Sequence, residues 1–162
     1  MIRRTRRVSR PDARIVAMGR KVEPARAHDL GPAVELLRRC DLPTEGVAER
    51  FRHYFVVRDD ADLVGLAGLE VYGPDALLRS VAVDREARGE GVGGQLVAAA
   101  EDLARRLDLG TVYLLTTTAQ AFFSRLGYQD CARDAAPGAV RESWEFRAGC
   151  PTSAVLMKKV LR

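Results

Sequence analysis

The stretch Ser80-Val81-Ala82-Val83-Asp84-Arg85-Glu86-Ala87-Arg88-Gly89-Glu90-Gly91-Val92-Gly93-Gly94 decides the fold. Its first residues are apolar and end a strand predicted over 76–83. Its middle is polar, and its last six residues hold four glycines. Beyond them Val92, Leu96, Ala99, Leu103 and Leu107 recur at helical spacing. That spacing predicts a helix with this stripe facing inward, and with Glu101–Arg105 and Asp102–Arg106 paired on its wet side. A strand, a glycine loop and a helix N-terminus together suit an anion. Glycines let backbone N–H groups approach without Cβ interference, and the helix end adds roughly half a positive charge. Arg88 adds a guanidinium at the mouth. The physical inference is a phosphate-bearing ligand.

Upstream, the pattern predicts a weak strand over 15–22, a helix opened by Asp29 and Pro32 and running to Cys40, and a short helix over 45–51. Strands over 53–58 and 63–72 flank the turn Asp59-Asp60-Ala61-Asp62 and read as an antiparallel hairpin. Downstream come a strand over 111–118, a short helix over 120–126, a strand over 128–133, a helix over 140–146 and a strand over 154–160. This order makes a mixed α/β domain. With 162 residues, 47% of them hydrophobic, the chain can bury one core, and no stretch reaches the roughly 18 uninterrupted apolar residues of a membrane helix.

The net charge of +4 hides an asymmetry. Residues 1–20 hold seven Arg and one acid, Asp12, so the remainder carries 19 basic against 21 acidic groups. The expectation is a basic, disordered arm over 1–20, then a single domain over 21–162. The arm has no aromatic interleaving for base stacking, so no nucleic-acid role is expected, and no membrane role either. It also lacks the apolar run of an export signal, which points to the cytoplasm. Cys40, Cys131 and Cys150 are odd in number and lack metal spacing, and His28 and His53 stand alone, so no metal site is expected.

Read literally, Gly89-x-Gly91-x-x-Gly94 matches the dinucleotide fingerprint. That motif should follow a strand directly, with an acid about 20 residues on. Here five residues intervene, and the next strand ends in Thr116-Thr117-Thr118. There is no GK[ST] of a triphosphatase loop. Instead, Arg88-x-x-Gly91-x-Gly93 resembles the pyrophosphate motif of the GNAT N-acetyltransferase superfamily. Residues 80–84 resemble that family's splayed central strand, and Ala119-x-x-Phe122-Phe123-x-x-x-Gly127-Tyr128 its later helix. The resemblance covers about residues 28–133. It implies a central, mostly antiparallel sheet with a splayed parallel pair, flanked by helices, and acetyl-CoA as co-substrate. Val81, Ala82 and Val83 would meet the pantetheine arm. Arg88, Gly89, Glu90, Gly91, Val92, Gly93 and Gly94 would cradle the pyrophosphate, and Thr116 would contact the cofactor.

A narrower likeness is carried by Gly68-Leu69-Glu70-Val71-Tyr72-Gly73, Leu77-Leu78-Arg79-Ser80, residues 114–119 and Cys150-Pro151-x-Ser153-Ala154. These resemble the arsenic-resistance N-acetyltransferases, which implies a small amine acceptor such as an arsenic- or phosphorus-containing glutamate analogue. An amine with pKa near 10 is neutral only about once in 10³ at pH 7, so a base is useful, and Glu70 is the candidate. Arg79, with Arg133 and Arg141 behind it, is the candidate grip for an acceptor anion. Where many family members carry a Tyr acid, this chain has Phe123, with Tyr113, Ser124 or a water as substitutes. A catalytically degenerate CoA- or metabolite-binding sensor is therefore the alternative function. A thiol site for trivalent arsenic and a homodimer also stay open.

Overall fold

Seven strands among the described residues share one sheet: β1 (Val22–Pro24), β2 (Tyr54–Asp59), β3 (Asp62–Tyr72), β4 (Asp75–Val83), β5 (Thr111–Thr116), β6 (Gln129–Cys131) and β7 (Val155–Val160). The computed structural model describes residues 20–149 and 151–161. The order is β1-β2-β3-β4-β5-β7-β6, antiparallel throughout except for β4 beside β5. Those two parallel strands pair only at Asp75↔Thr111, Ala76↔Val112 and Leu77↔Tyr113, then part. The mixed sheet with a splayed parallel pair, expected from the sequence, is the observed architecture.

Helices cover both faces of the sheet, which explains the continuous apolar run Tyr54-Phe55-Val56-Val57. Tyr54 and Val56 pack with Leu36 and Leu37 of α1 (Leu30–Arg39), whereas Phe55 and Val57 pack with Leu96 and Ala100 of α2 (Val92–Arg106). Tyr54 lies flat across Gly68, where an added Cβ would come 2.2 Å from its ring, so this crossing admits no side chain. The Tyr54 hydroxyl then reaches Ser80 Oγ at 3.0 Å. Ser80 has a left-handed backbone (φ 58°) at the register break between β3 and β4, a β-bulge beside the splay.

α2 begins where the sequence predicted, but its inward face is rotated. Val92, Leu96, Val97, Ala100 and Ala104 are buried, Ala99 and Leu103 only half-buried, and Leu107 is exposed. Small alanines let the helix approach the sheet closely, and a stripe chosen on leucines misses that. Glu101, expected on the wet side, is buried and held by Lys159 of β7 at 2.9 and 3.1 Å. Asp102 bonds Arg105 rather than Arg106.

Other elements shift modestly. The helix expected over 45–51 is a 3-10 turn over Ala48–His53. The helix expected over 140–146 divides into α4 (Gly138–Arg141) and a wide turn over Glu145–Gly149. The short helix after β5 is α3 (Gln120–Arg125). Most of the strand expected over 15–22, and most of the arm, lie outside the described residues. Arg20, counted with the arm, has a nearly buried side chain that joins Asp59 at 2.9 Å and the carboxylate of Glu90.

Candidate active site

The glycine loop sits between β4 and α2. Gly89 (φ 81°) and Gly91 (φ 82°) adopt the left-handed backbone that glycine takes without strain, and a Cβ on either would meet nothing within 4 Å. The loop is therefore open on the side those hydrogens face. Gly91 starts α2 without a side chain to cap it, and the helix's first turn carries no acid, so its N–H groups suit an anion. Glu90 turns its carboxylate to Arg20. Arg88 donates Nε to the Val83 carbonyl at 2.9 Å and passes 3.8 Å from Cys40 Sγ, so its guanidinium braces the loop against β4.

Beyond Leu77, β4 has no ladder partner in β5, and the gap beside Val81, Ala82 and Val83 suits a thin, amide-bearing ligand. Val81 and Val83 are half-buried along it, while Ala82 is buried against the α1 side. Thr116 closes the other strand, but its hydroxyl already accepts the Ala119 N–H at 3.0 Å and so caps the entry to α3.

A second cluster forms a cavity of about 330 Å³ lined by Gly46, Arg50, Glu70, Tyr72, Arg79 and Trp144, with Glu49 and Glu142 also on its wall. Glu70 and Arg79 are almost wholly buried and bonded to each other, Oε1 to Nη1, at 3.1 Å. The Tyr72 hydroxyl donates to the other Glu70 oxygen. Arg79 also donates to the Glu45 carbonyl at 2.8 Å and to Ser80 Oγ at 3.2 Å, and Glu145 lies 3.9 Å away. Burial opposes the Arg79 charge, but the Glu145 and Glu70 carboxylates offset it, so the guanidinium stays ionised. Burial, and then the Glu70 hydrogen bond, push the Tyr72 phenol well above its ordinary value, so it remains a donor at neutral pH. Tyr54 is pushed up to about 12, chiefly by burial.

The structure thus brings Glu70 and Arg79 together, which the sequence did not foresee. Both line the cavity, with the Arg79 guanidinium already occupied. Arg133, the second candidate grip, donates to the carbonyls of Pro151, Thr152 and Ala154 and stacks on Phe146. Arg141 is exposed on α4. Phe123 is buried, edge-on to Phe122 and Tyr128. Tyr113 is buried with Leu77 and Leu156, and Ser124 is exposed on α3. Cys40 and Cys131 are half-buried, and Cys150 lies outside the described residues. No His, Cys, Asp and Glu cluster able to hold a metal occurs among the described residues. Sequence reasoning missed Arg50, Tyr72 and Trp144, since each joins the cavity only through tertiary contact.

A family model of the acetyltransferase (GNAT) domain matches residues 50–130, half of the chain, from the turn before β2 into β6. The chain belongs to the GNAT acetyltransferase family. An uncharacterized N-acetyltransferase of Chlorobaculum tepidum is 30% identical over 108 residues, 66% of this chain and 67% of that one. Among solved structures, N-acetylglutamate synthase from Neisseria gonorrhoeae, complexed with coenzyme A and N-acetyl-glutamate, superposes with a TM-score of 0.78 at 20% identity. The match covers 88% of this GNAT chain but only 35% of the synthase. A Mycobacterium tuberculosis protein in complex with CoA gives a TM-score of 0.75 at 22% identity, covering 88% of this chain and 99% of that one. At those identities the likeness carries the fold. The matched region includes the splay, the glycine loop and Glu70, and family membership supports coenzyme A as a ligand of this chain.

Proposed function

We propose that this GNAT chain moves an acetyl group from acetyl-CoA to the amine of a small molecule seated beside Glu70. The observation that carries the reading is the conjunction of an open glycine loop, a split between two parallel strands and a cavity with a buried carboxylate. Residues 88–94 hold the pyrophosphate through backbone N–H groups, and the β4 edge at Val81 and Val83 takes the pantetheine arm. Acetyl-CoA supplies an activated acyl group whose thiol is far more acidic than an alcohol and leaves readily as thiolate. An acid at position 123 is therefore dispensable.

The acceptor ammonium must shed a proton before its lone pair can attack. Glu70 receives that proton, directly or through a water, at the oxygen that Tyr72 otherwise occupies. Arg79 acts as a positioning residue that fixes Glu70 and the Ser80 bulge from behind. The likeness to arsenic-resistance acetyltransferases makes an arsenic- or phosphorus-containing glutamate analogue one acceptor to include in the screen.

Thiol release from acetyl-CoA across an amine panel tests the reading, alongside a calorimetric titration with CoA. Turnover with a small amine and micromolar to millimolar CoA binding are the expected results. Binding of a nicotinamide dinucleotide in place of CoA would sink the reading. CoA binding without turnover on any amine would favour a sensor.

A further inference from the structure

We infer that Arg50 takes the carboxylate of a zwitterionic α-amino acid acceptor, so that the cavity selects an amine with an acid on the same carbon. This deepens the acetyl-transfer reading and rests on it. The cavity holds two guanidinium groups in unlike states. Arg79 is buried, bonded to Glu70, to the Glu45 carbonyl and to Ser80, with Glu145 close by. An incoming carboxylate would have to displace a buried ion pair to reach it, which is costly. Arg50 comes instead from the turn Ala48–His53, and its side chain is 47% exposed. Its Nε stands 4.0 Å from Glu70, beyond hydrogen-bond reach, and its guanidinium lies over the Tyr72 ring at 5.4 Å. A ring face at that distance favours the cation while leaving guanidinium donors for a ligand.

The surrounding charges fit a zwitterion rather than a bare anion. Glu70, Glu49 and Glu142 line the same cavity as Arg50, so it offers carboxylates for an ammonium beside one accessible cation for a carboxylate. Because Arg50 is 4.0 Å from Glu70, an acceptor that bridges them needs its two charged groups close together. An α-amino acid meets that requirement, and a long diamine does not.

The test compares matched acceptors: L-leucine with 3-methylbutylamine, and L-glutamate with 4-aminobutyrate, by thiol release and by calorimetric binding to the CoA-loaded chain. The wild type should favour at least one α-amino acid over its partner by about 10-fold or more, as expected for a charge-assisted hydrogen bond. Arg50→Gln should erase that preference through KM, and Arg50→Lys should restore part of it. Equal loss for both members of a pair, or a wild type that does not prefer the α-amino acid in either pair, would overturn the inference. Arg50-dependent binding of the amino acid without any thiol release would support it while sinking the acetyl-transfer reading.

Discussion

Glu70 and Arg79 meet diagonally across β3 and β4, their side chains bridged at 3.1 Å and nearly sealed from solvent. The carboxylate proposed as base is thus also half of a buried ion pair. Glu70→Gln should lower kcat/KM by roughly 10²-fold and remove the carboxylate limb from the pH–rate profile. It should also lower the melting temperature, because Arg79 loses its partner, while the CoA affinity stays near that of the wild type. Retention of the wild-type rate at every pH would remove Glu70 from the chemistry.

The glycine loop separates strain from crowding. Gly91→Ala places a Cβ in open space but holds alanine in the left-handed region, at a cost of about 1–2 kcal/mol. CoA binding should weaken while the core stays intact. At Gly93 the added Cβ would press Phe122 at 3.1 Å, so Gly93→Val should lower both CoA affinity and the melting temperature. Titration calorimetry and thermal melts on the two variants distinguish these effects. Identical profiles would contradict the geometry.

Arg20 connects the β2–β3 turn to the loop by holding Asp59 and Glu90 together. Without it the Glu90 carboxylate is left near the anion site. Arg20→Gln should weaken CoA binding several-fold, about 1 kcal/mol, and more so at low salt. In a Glu90→Gln background most of that loss should vanish. Deletion of residues 1–17, which show no core-facing pattern, should change melting and turnover little. An equal effect of Arg20→Gln in both backgrounds would show that Arg20 does not act through Glu90.

Asp29 precedes α1 and is gripped by Arg58 at 2.6 and 2.9 Å. The Arg58 hydrogen bonds, against the opposing pull of burial, hold its carboxyl below the usual 3.8. A depressed folded pKa adds stability that is complete above the unfolded value and is lost as pH falls through the folded one. Melting temperature should therefore drop steeply below about pH 4. Asp29→Asn should be less stable at pH 7, by about 1.5–2 kcal/mol for a charge-assisted pair whose arginine is part-exposed, and should lose less on acidification. Parallel acid limbs in the two proteins would show that Asp29 contributes nothing to that slope.

β2, β3 and β4 were legible almost to the residue, since they are apolar runs set off by Asp, Gly and Pro. By contrast, β1 (Val22–Pro24) and β6 (Gln129–Cys131) are short edge strands that the expected 15–22 and 128–133 misplace or overextend. The glycine loop was legible as an anion site because its chemistry is local. The inward face of α2 was not, because Ala100 and Ala104 owe their burial to close packing rather than to hydrophobicity. Nor was the acceptor cavity. Arg50, Tyr72, Arg79 and Trp144 come from four separate segments, and a single sequence does not say which of many arginines ends in an ion pair. The break of the 140–146 region into α4 and a wide turn was equally hidden, since Val140 and Phe146 join one cluster through tertiary packing that the local sequence does not show.

The parting of β4 from β5 after Leu77 has a consequence for solubility. An unpaired strand at the rim of a sheet is a template onto which another copy's strand can add, and natural proteins blunt such rims. Here the gap lies in the middle of the sheet, between β4 and β5, whose outer edges are paired with β3 and β7. A second polypeptide would need to thread between two covered strands to use it. The fold thereby keeps hydrogen-bonding backbone available to a slender ligand while withholding it from its own copies.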